Sequence, residues 1–281
     1  MNPPPLTPAT ACTELTAHPT AATVQGDFLS LQSGRPFGGA EASFHGPTHR
    51  AVGESSWQPT SATTVLGFRY ADGVLMAGDR RATSGNLVMF ERADKVLEID
   101  GSSLMAIAGS PAVAWEMART LRHAFQFFRR TQLQVMSLDG KVRALSRLLR
   151  ENLGLAMQGV GMVAPLFAAH DSVRAESRLY FYDALGAEFE SVDFAGSGSG
   201  SIGVRGILQY EDRWASKLNE RPRGSAIQLA VRALESAAEM DTATGGANLR
   251  KRIFPTVKLL TARGIETVPE EELQAVLEEA P

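Results

Sequence analysis

Lys95 sits in the run Lys95-Val96-Leu97-Glu98-Ile99, whose alternation puts it on the face of Leu97 and Ile99 and sends Glu98 the other way with Val96. A lysine on an apolar face is costly unless paired, and its pKa falls as water is taken from it. Lysines at strand ends also snorkel to solvent, so this residue alone leaves both readings open. Asp79 poses the same question with the opposite charge, because it ends an apolar strand in Ala77-Gly78-Asp79-Arg80-Arg81 and needs a partner. Asp241 closes a long helical pattern, where its charge meets the negative end of the helix dipole at a cost of roughly 0.3 to 1 kcal/mol. Something cationic is expected to face it, with a solvated helix end as the alternative. Thr242-Ala243-Thr244-Gly245-Gly246 follow with hydroxyls and flexible backbone suited to a site.

Other chemistries have less to work with. Gly198, Gly200 and Gly203 meet the G-x-G-x-x-G pattern, with Glu220 near the distance of a ribose-binding acid. A Gly-Ser run meets that pattern easily, however, the strands before it are joined as hairpins, and no parallel βαβ unit follows. There is no Walker lysine motif and no G-x-S-x-G. Cys12 is the single cysteine, and His18, His45 and His49 also lie before residue 62, leaving His123 and His170. No disulfide framework, cysteine-rich zinc site or cysteine nucleophile can come from residues 63–281. His123 falls in a helical pattern and His170 at a strand edge, so a hydrolase built on this chain is expected to use a base other than histidine.

The elements that must position these residues begin at Thr63. Before it, residues 1–62 hold eight of the 14 prolines, 14 Ser or Thr and no lysine, and they show no hydrophobic period. Such a segment cannot offset its ordering entropy by burial and reads as a disordered tail or a removable pro-segment. Met1 to Thr20 lacks the basic start and apolar stretch of a secretory signal, so cytoplasmic residence is expected. Thr63–Tyr70 and Val74–Gly78 read as a hairpin turning at Ala71-Asp72-Gly73, and Lys95–Ile99 with Ser103–Ala108 as a second around Asp100-Gly101. Val113, Met117, Leu121, Phe125 and Phe128 line one helix face; a second helix runs from about Asp139 to Leu153, capped by Gly154. Strands follow at about Met162–Ala169, Arg178–Asp183 and Glu188–Val192. Helices come next at Ile202–Glu211 and Ser225–Asp241, the latter with a Ser225/Gln228 capping box and a stripe of Ile227, Val231, Leu234 and Ala238. Arg252–Thr261 and Gly264–Val268 form a closing hairpin, and Pro269 with three glutamates opens a last helix.

Clustered hairpins and paired helices argue for an α+β fold, a two-sheet sandwich with outer helix layers, over residues 63–281. With 281 residues, 44% hydrophobic, 21% charged and a net charge of -3, nothing favours nucleic acid or an acidic membrane surface as partner. The longest apolar runs, such as Val160 to Ala169, fall well short of the ~18 residues of a membrane span.

Thr63-Thr64-Val65, Gly78-Asp79-Arg80-Arg81, Lys95, Ala108-Gly109, Gly196-Ser197-Gly198 and Asp241-Thr242-Ala243-Thr244-Gly245-Gly246 together resemble the β subunit of the 20S proteasome across essentially all of residues 63–281. Arg80-Arg81-Ala82-Thr83 and Asn152 to Gly159 are most similar to the actinobacterial form. The resemblance implies the N-terminal-nucleophile hydrolase fold, a four-layer αββα sandwich with two antiparallel sheets between helix layers. It implies a threonine endopeptidase that needs no cofactor and no metal, matured by cutting its own chain between Ala62 and Thr63. Thr63 would then be the nucleophile and its freed amine the base. Lys95 paired with Asp79 would sit beside that amine, with Arg81 supporting Asp79. Ser197 and Asp241 would orient the amine, with Thr244 hydrogen-bonded among them, and the Gly109 N–H would form the oxyanion hole. Thr83, Gly109 and Pro111 match edge positions that pair with an extended peptide. Ala82, Ala93, Leu97, Ile107 and Trp115 match the first specificity pocket and imply cleavage after large apolar residues.

The implied partners are α subunits and other β subunits in four stacked seven-membered rings, a ring-shaped ATPase docked on the α ring, and unfolded, pupylated polypeptides. Two residues depart from the family pattern. Ala62 stands where most of the family has glycine, whose freedom eases the tight turn of self-cleavage, and Thr244 stands where many relatives have serine. The competing expectations are an unprocessed ring subunit that contributes only walls, and a nucleotide-binding module built on the Gly-Ser run.

Overall fold

A computed structural model describes residues 63–84, 87–191 and 193–279. The expectations for residues 1–62, including Cys12, three histidines and the Ala62 side of the scission point, lie outside the described residues. Strands β1 (Thr64–Tyr70) and β2 (Gly73–Gly78) form the first hairpin, turning at Ala71-Asp72 as expected. β1 also pairs with β10 (Phe194–Gly198), and β2 with β11 (Thr256–Thr261), which carries β12 (Gly264–Thr267) on its far edge. The order of this sheet is β10-β1-β2-β11-β12. A second five-stranded sheet is a meander of β5 (Val96–Asp100), β6 (Ser103–Ala106), β7 (Leu166–Asp171), β8 (Glu176–Tyr182) and β9 (Glu188–Ser191). All of these pairings are antiparallel.

Period-two alternation along β1 creates the layers. Leu66 and Phe68 face one way, into a core shared with helices α4 (Ser201–Tyr210), α5 (Arg223–Met240) and α6 (Glu270–Glu278). Val65 faces the other way and meets Val96, Leu104, Ala106, Leu166, Ala168 and Leu179 of the second sheet. The outer face of that sheet packs through Leu97, Ile99, Phe167 and Tyr180 against α1 (Pro111–Gln132) and α2 (Leu138–Glu151). The result is the α+β sandwich in four layers, αββα. Each fully buried large side chain, Phe68 for instance, contributes about 1.5 to 3 kcal/mol through removal from water. An ion pair between the buried Lys141 and the partly exposed Asp100, at 2.7 Å, staples α2 to the β5–β6 turn, with the ammonium 5.5 Å from the Phe125 ring. No helix of the described residues is long and apolar enough to cross a membrane.

Several local expectations are corrected. Gly154 does not cap the second helix. Asn152 ends α2 in right-handed conformation and leads into a short helix α3 (Leu153–Met157), while its side chain donates to Gly161 O at 2.6 Å and folds the loop back. Ser225 makes no capping box; α5 starts two residues earlier, after Pro222, and the Ser225 hydroxyl accepts from Arg221 instead. The strand expected from Met162 begins at Leu166, preceded by a single bridge from Val163 to Gly109. Besides α3, three strands went unread: β10, which runs into the start of the Gly-Ser run, and β3 (Ala82–Ser84) with β4 (Leu87–Phe90), which form a separate hairpin. All four apolar residues of β4 are at least half exposed.

Candidate active site

The β1–β2 register delivers the carboxylate at the end of β2 to the start of β1. Val65 pairs with Gly78, so Asp79 falls opposite Thr64: its N–H donates to Thr64 O at 3.1 Å, and its Oδ1 accepts from Thr64 N–H at 2.8 Å. Asp79 is 0% exposed and all four of its acceptor directions are used. Oδ1 also takes Lys95 Nζ at 2.7 Å, and Oδ2 takes the N–H groups of Arg81 and Gly245, both at 2.9 Å. Lys95 is 3% exposed and gives a further hydrogen bond to Arg81 O. Burial pushes its pKa below the ordinary lysine value, and the Asp79 charge and hydrogen bond oppose that shift. The costly lysine and the costly aspartate are thus each other's partner. Thr63, also buried, lies one residue from the clasped Thr64 amide, and its carbonyl accepts from Ser199 N–H at 3.0 Å.

The Gly-Ser run serves close approach. Gly198 has φ +97°, and a Cβ there would lie 1.7 Å from Thr63 O. A Cβ on Gly200 would fall 2.7 Å from Thr64 Oγ1 and 2.8 Å from Thr244 Oγ1. That absence of side chains lets three hydroxyls and a carboxylate line up. Gly200 N–H donates to Thr64 Oγ1 at 2.9 Å, the two threonine hydroxyls are 2.6 Å apart, and Thr244 Oγ1 donates to Asp241 Oδ2 at 2.6 Å. An ionised carboxylate only accepts, so the Thr244 proton is committed to Asp241 and the Thr64 proton must point at Thr244. Ser199 Oγ donates to the same Asp241 oxygen, and Ala243 N–H to the other. Burial works against ionisation of Asp241, but these donors, with the Lys95 charge beyond them, hold its carboxyl below the usual value. The cation expected against this helix end is not in direct contact: the hydrogen bonds to Asp241 come from the hydroxyls of Ser199 and Thr244 and the Ala243 N–H, and the Lys95 charge acts only from beyond them.

Gly109 has φ +103°, and a Cβ there would lie 2.1 Å from Met162 O. The flanking bonds, Ser110 N–H to Met162 O and Ala164 N–H to Ala108 O, turn the Gly109 N–H to the opposite edge, the side on which Ile107 N–H donates to Lys95 O. At the next position along that edge the chain has already left the sheet, because Ala93 N–H donates to Arg80 O. A backbone donor thus faces the Lys95 side of the site.

A family model described as proteasome subunit matches residues 60–249. A protein named proteasome subunit beta 2 from Thermomonospora curvata is 42% identical over 216 residues, 77% of this chain and 75% of the relative. The chain belongs to the proteasome subunit family. A proteasome subunit beta from Stackebrandtia nassauensis is 38% identical over 218 residues, 76% of each chain. Both relatives are β subunits by name, so the chain sits with the proteasome β subunits. The family match takes in every residue assigned above to the site and ends before β11 and β12.

The remaining expected positions spread around this proteasome-family site. Ser197 pairs across strands with Val65, which puts it on the face that Val65 shares with Thr63, and its hydroxyl donates to Ala164 O at 2.7 Å. Arg81 supports Asp79 through its backbone N–H; its guanidinium braces the loop after α5, donating to Thr242 O and Thr244 O. Ala82 and Thr83 lie on β3, Pro111 opens α1, and Trp115, 44% exposed, follows one turn on. Ala93, Leu97 and Ile107 are buried, the last two in the core beneath α1. His123 is exposed on α1, and His170 Nδ1 lies 3.1 Å from Ser177 Oγ. Thr64 and Ser199 were missed as site residues. Thr64 carried a signal in its adjacency to Thr63, and Ser199 in its place two residues along the same glycine-rich strand end.

Proposed function

We propose that this chain is a catalytic proteasome β subunit, a threonine endopeptidase that cuts itself between Ala62 and Thr63. The observation that carries the reading is the buried Asp79–Lys95 pair clasping the Thr64 amide, one residue from the hydroxyl that would attack. A freed α-amine has a reference pKa of about 7.7 to 8.0, and a nearby lysine charge lowers it, so near neutrality it can take the Thr63 hydroxyl proton directly or through a water. The Thr63 oxygen attacks the scissile carbonyl, and the oxyanion is met by the Gly109 N–H. On collapse the C–N bond breaks, the ammonium returns its proton to the leaving amine, and an ester remains on Thr63. Water, deprotonated by the same amine, hydrolyses the ester and restores the threonine. Lys95 stabilises the developing alkoxide, Asp79 holds the lysine charged, and Ser197 and Asp241 orient the amine, with Thr244 hydrogen-bonded to Asp241.

In this reading the subunit works inside a barrel of stacked seven-membered rings with α subunits outside, and a ring-shaped ATPase feeds it unfolded, pupylated chains in the cytoplasm. The uncharged side chains of Ala82, Ala93, Leu97, Ile107 and Trp115 support cleavage after large apolar residues. Ala62 in place of glycine favours a second reading, an unprocessed subunit that forms ring wall only. Intact mass after co-expression with the α partner separates them: loss of residues 1–62 supports the enzyme, and a stable full-length chain in assembled particles supports the wall. Thr63→Ala should abolish processing and peptide hydrolysis together, and survival of hydrolysis would move the nucleophile elsewhere.

A further inference from the structure

The loop from Asp241 to Ala247 makes an unusual number of the contacts just described. It supplies the Asp241 carboxylate, the Thr244 hydroxyl that takes the Thr64 proton, the Gly245 N–H on Asp79, and both carbonyls that hold the Arg81 guanidinium. Its first end is secured by α5, through Asp241 N–H on Ala237 O at 2.9 Å. Its far end returns to the same helix, where Ala247 N–H donates to Glu235 Oε1 at 2.7 Å. The other oxygen, Oε2, packs close over Gly246, so close that a Cβ at 246 would lie 3.3 Å from it.

We infer that Glu235, which touches none of the reacting groups, is a positioning residue that clamps the Asp241–Ala247 loop to α5 and thereby sets Thr244 and the Gly245 N–H against Thr64 and Asp79. The inference rests on the Thr63 reading for its catalytic consequence but not for its structural one. A surface glutamate would have cost the helix nothing. Burial, with Glu239 one turn on adding to it, pushes the Glu235 carboxyl above its ordinary value, and the Ala247 N–H pulls the other way. Glu239 is exposed and on the same helix; from the loop side the carboxylate meets backbone of Gly246 and Ala247. The side chain therefore gives up hydration for a bond whose product is the shape of the loop.

Three variants in assembled particles test this: Glu235→Gln, which keeps an acceptor at the same reach; Glu235→Asp, which is one methylene short; and Glu235→Ala. Turnover is counted per nucleophile titrated by a covalent threonine-directed inhibitor, and amide hydrogen exchange is followed at Gly245 and Ala247. For Glu235→Ala and Glu235→Asp we expect kcat to fall about tenfold with KM within about twofold, as for a small displacement of catalytic groups. Exchange at Gly245 and Ala247 should quicken in both, and Glu235→Gln should restore kcat to within about threefold of wild type. Wild-type kcat and unchanged exchange in Glu235→Asp, or a Glu235→Gln no better than Glu235→Ala, overturns the inference. If Thr63→Ala particles still hydrolyse peptides, it is the Thr63 reading that fails, and the exchange data still decide whether Glu235 holds the loop.

Discussion

Asp79→Asn replaces one oxygen of the buried carboxylate by an amine of nearly the same size, and the geometry leaves it no tolerable orientation. With the amine at the Oδ1 position it faces Thr64 N–H and Lys95 Nζ; turned over, it faces Arg81 N–H and Gly245 N–H. Either way two buried donors meet a third. Each orphaned donor costs about 1 to 3 kcal/mol, and breaking a buried ion pair by neutralising one partner costs about 3 to 5 kcal/mol. These overlap, because Lys95 is counted in both, so a total of roughly 3 to 5 kcal/mol is expected. A domain of this size loses about 2 to 4 °C of Tm per kcal/mol, which makes the drop roughly 6 to 20 °C. The comparison is made by circular dichroism in a Thr63→Ala background, so that processing does not differ between the chains. Peptide hydrolysis by particles carrying Asp79→Asn alone should fall by at least about 10²-fold. A Tm within about 2 °C of the parent would refute the reasoning, since four donors could not then depend on that carboxylate.

Four further outcomes follow from the same geometry. Gly198→Ala should not yield folded chain, because its Cβ would overlap Thr63 O, whereas Gly206→Ala, with open space in α4, should raise Tm by about 1 to 4 °C; soluble yield and melting curves check both. Thr64→Val cuts the hydroxyl chain to Asp241 and orphans the buried Gly200 N–H, so it should lower kcat and cost about 1 to 3 kcal/mol of stability, a result excluded if kcat per active site and Tm are both unaltered. Asp100 is opposed in its ionisation by burial yet held below the ordinary 3.8 by Lys141 and Ser103, so it contributes stability above that pH that is lost as the pH falls through the lowered folded value. Lys141→Met should therefore flatten the fall of Tm below about pH 4, and an unchanged acid slope would count against the pair. A fluorogenic peptide panel should show preference after large apolar residues; preference after acidic or basic ones would refute the specificity assignment.

The strand hairpins and helix faces were legible because they follow short-range periodicity: Leu66 and Phe68 alternate with Val65, and Met117, Leu121 and Phe125 recur as a helix stripe. Asp79 and Lys95 were readable as two improbable charges on apolar strands, and the structure makes each the other's solution. What resisted reading shares a cause. β10 consists of Phe194-Ala195-Gly196-Ser197-Gly198, of which all but Phe194 are poor strand formers, with glycine where another backbone must come near. Gly154 looked like a helix cap because nothing in its neighbourhood announces that Asn152 will bond to Gly161 nine residues on. Glu235 looked like any polar position on an amphipathic helix, and only the return of a loop to its carboxylate distinguishes it. Local pattern writes elements; the contacts that shape a site cross between them.

The β3–β4 hairpin has a consequence for handling the isolated chain. Leu87, Val88, Met89 and Phe90 are consecutive and unburied, in a strand that pairs only with β3 among the described strands. Four such residues in extended form, with no proline among them, are a template for edge-to-edge aggregation. Glu91 and Arg92 follow at once as charged gatekeepers, of the kind that blunts such growth without preventing it. A purified single subunit should therefore turn cloudy with rising concentration and salt, with this ribbon the first place to put a lysine.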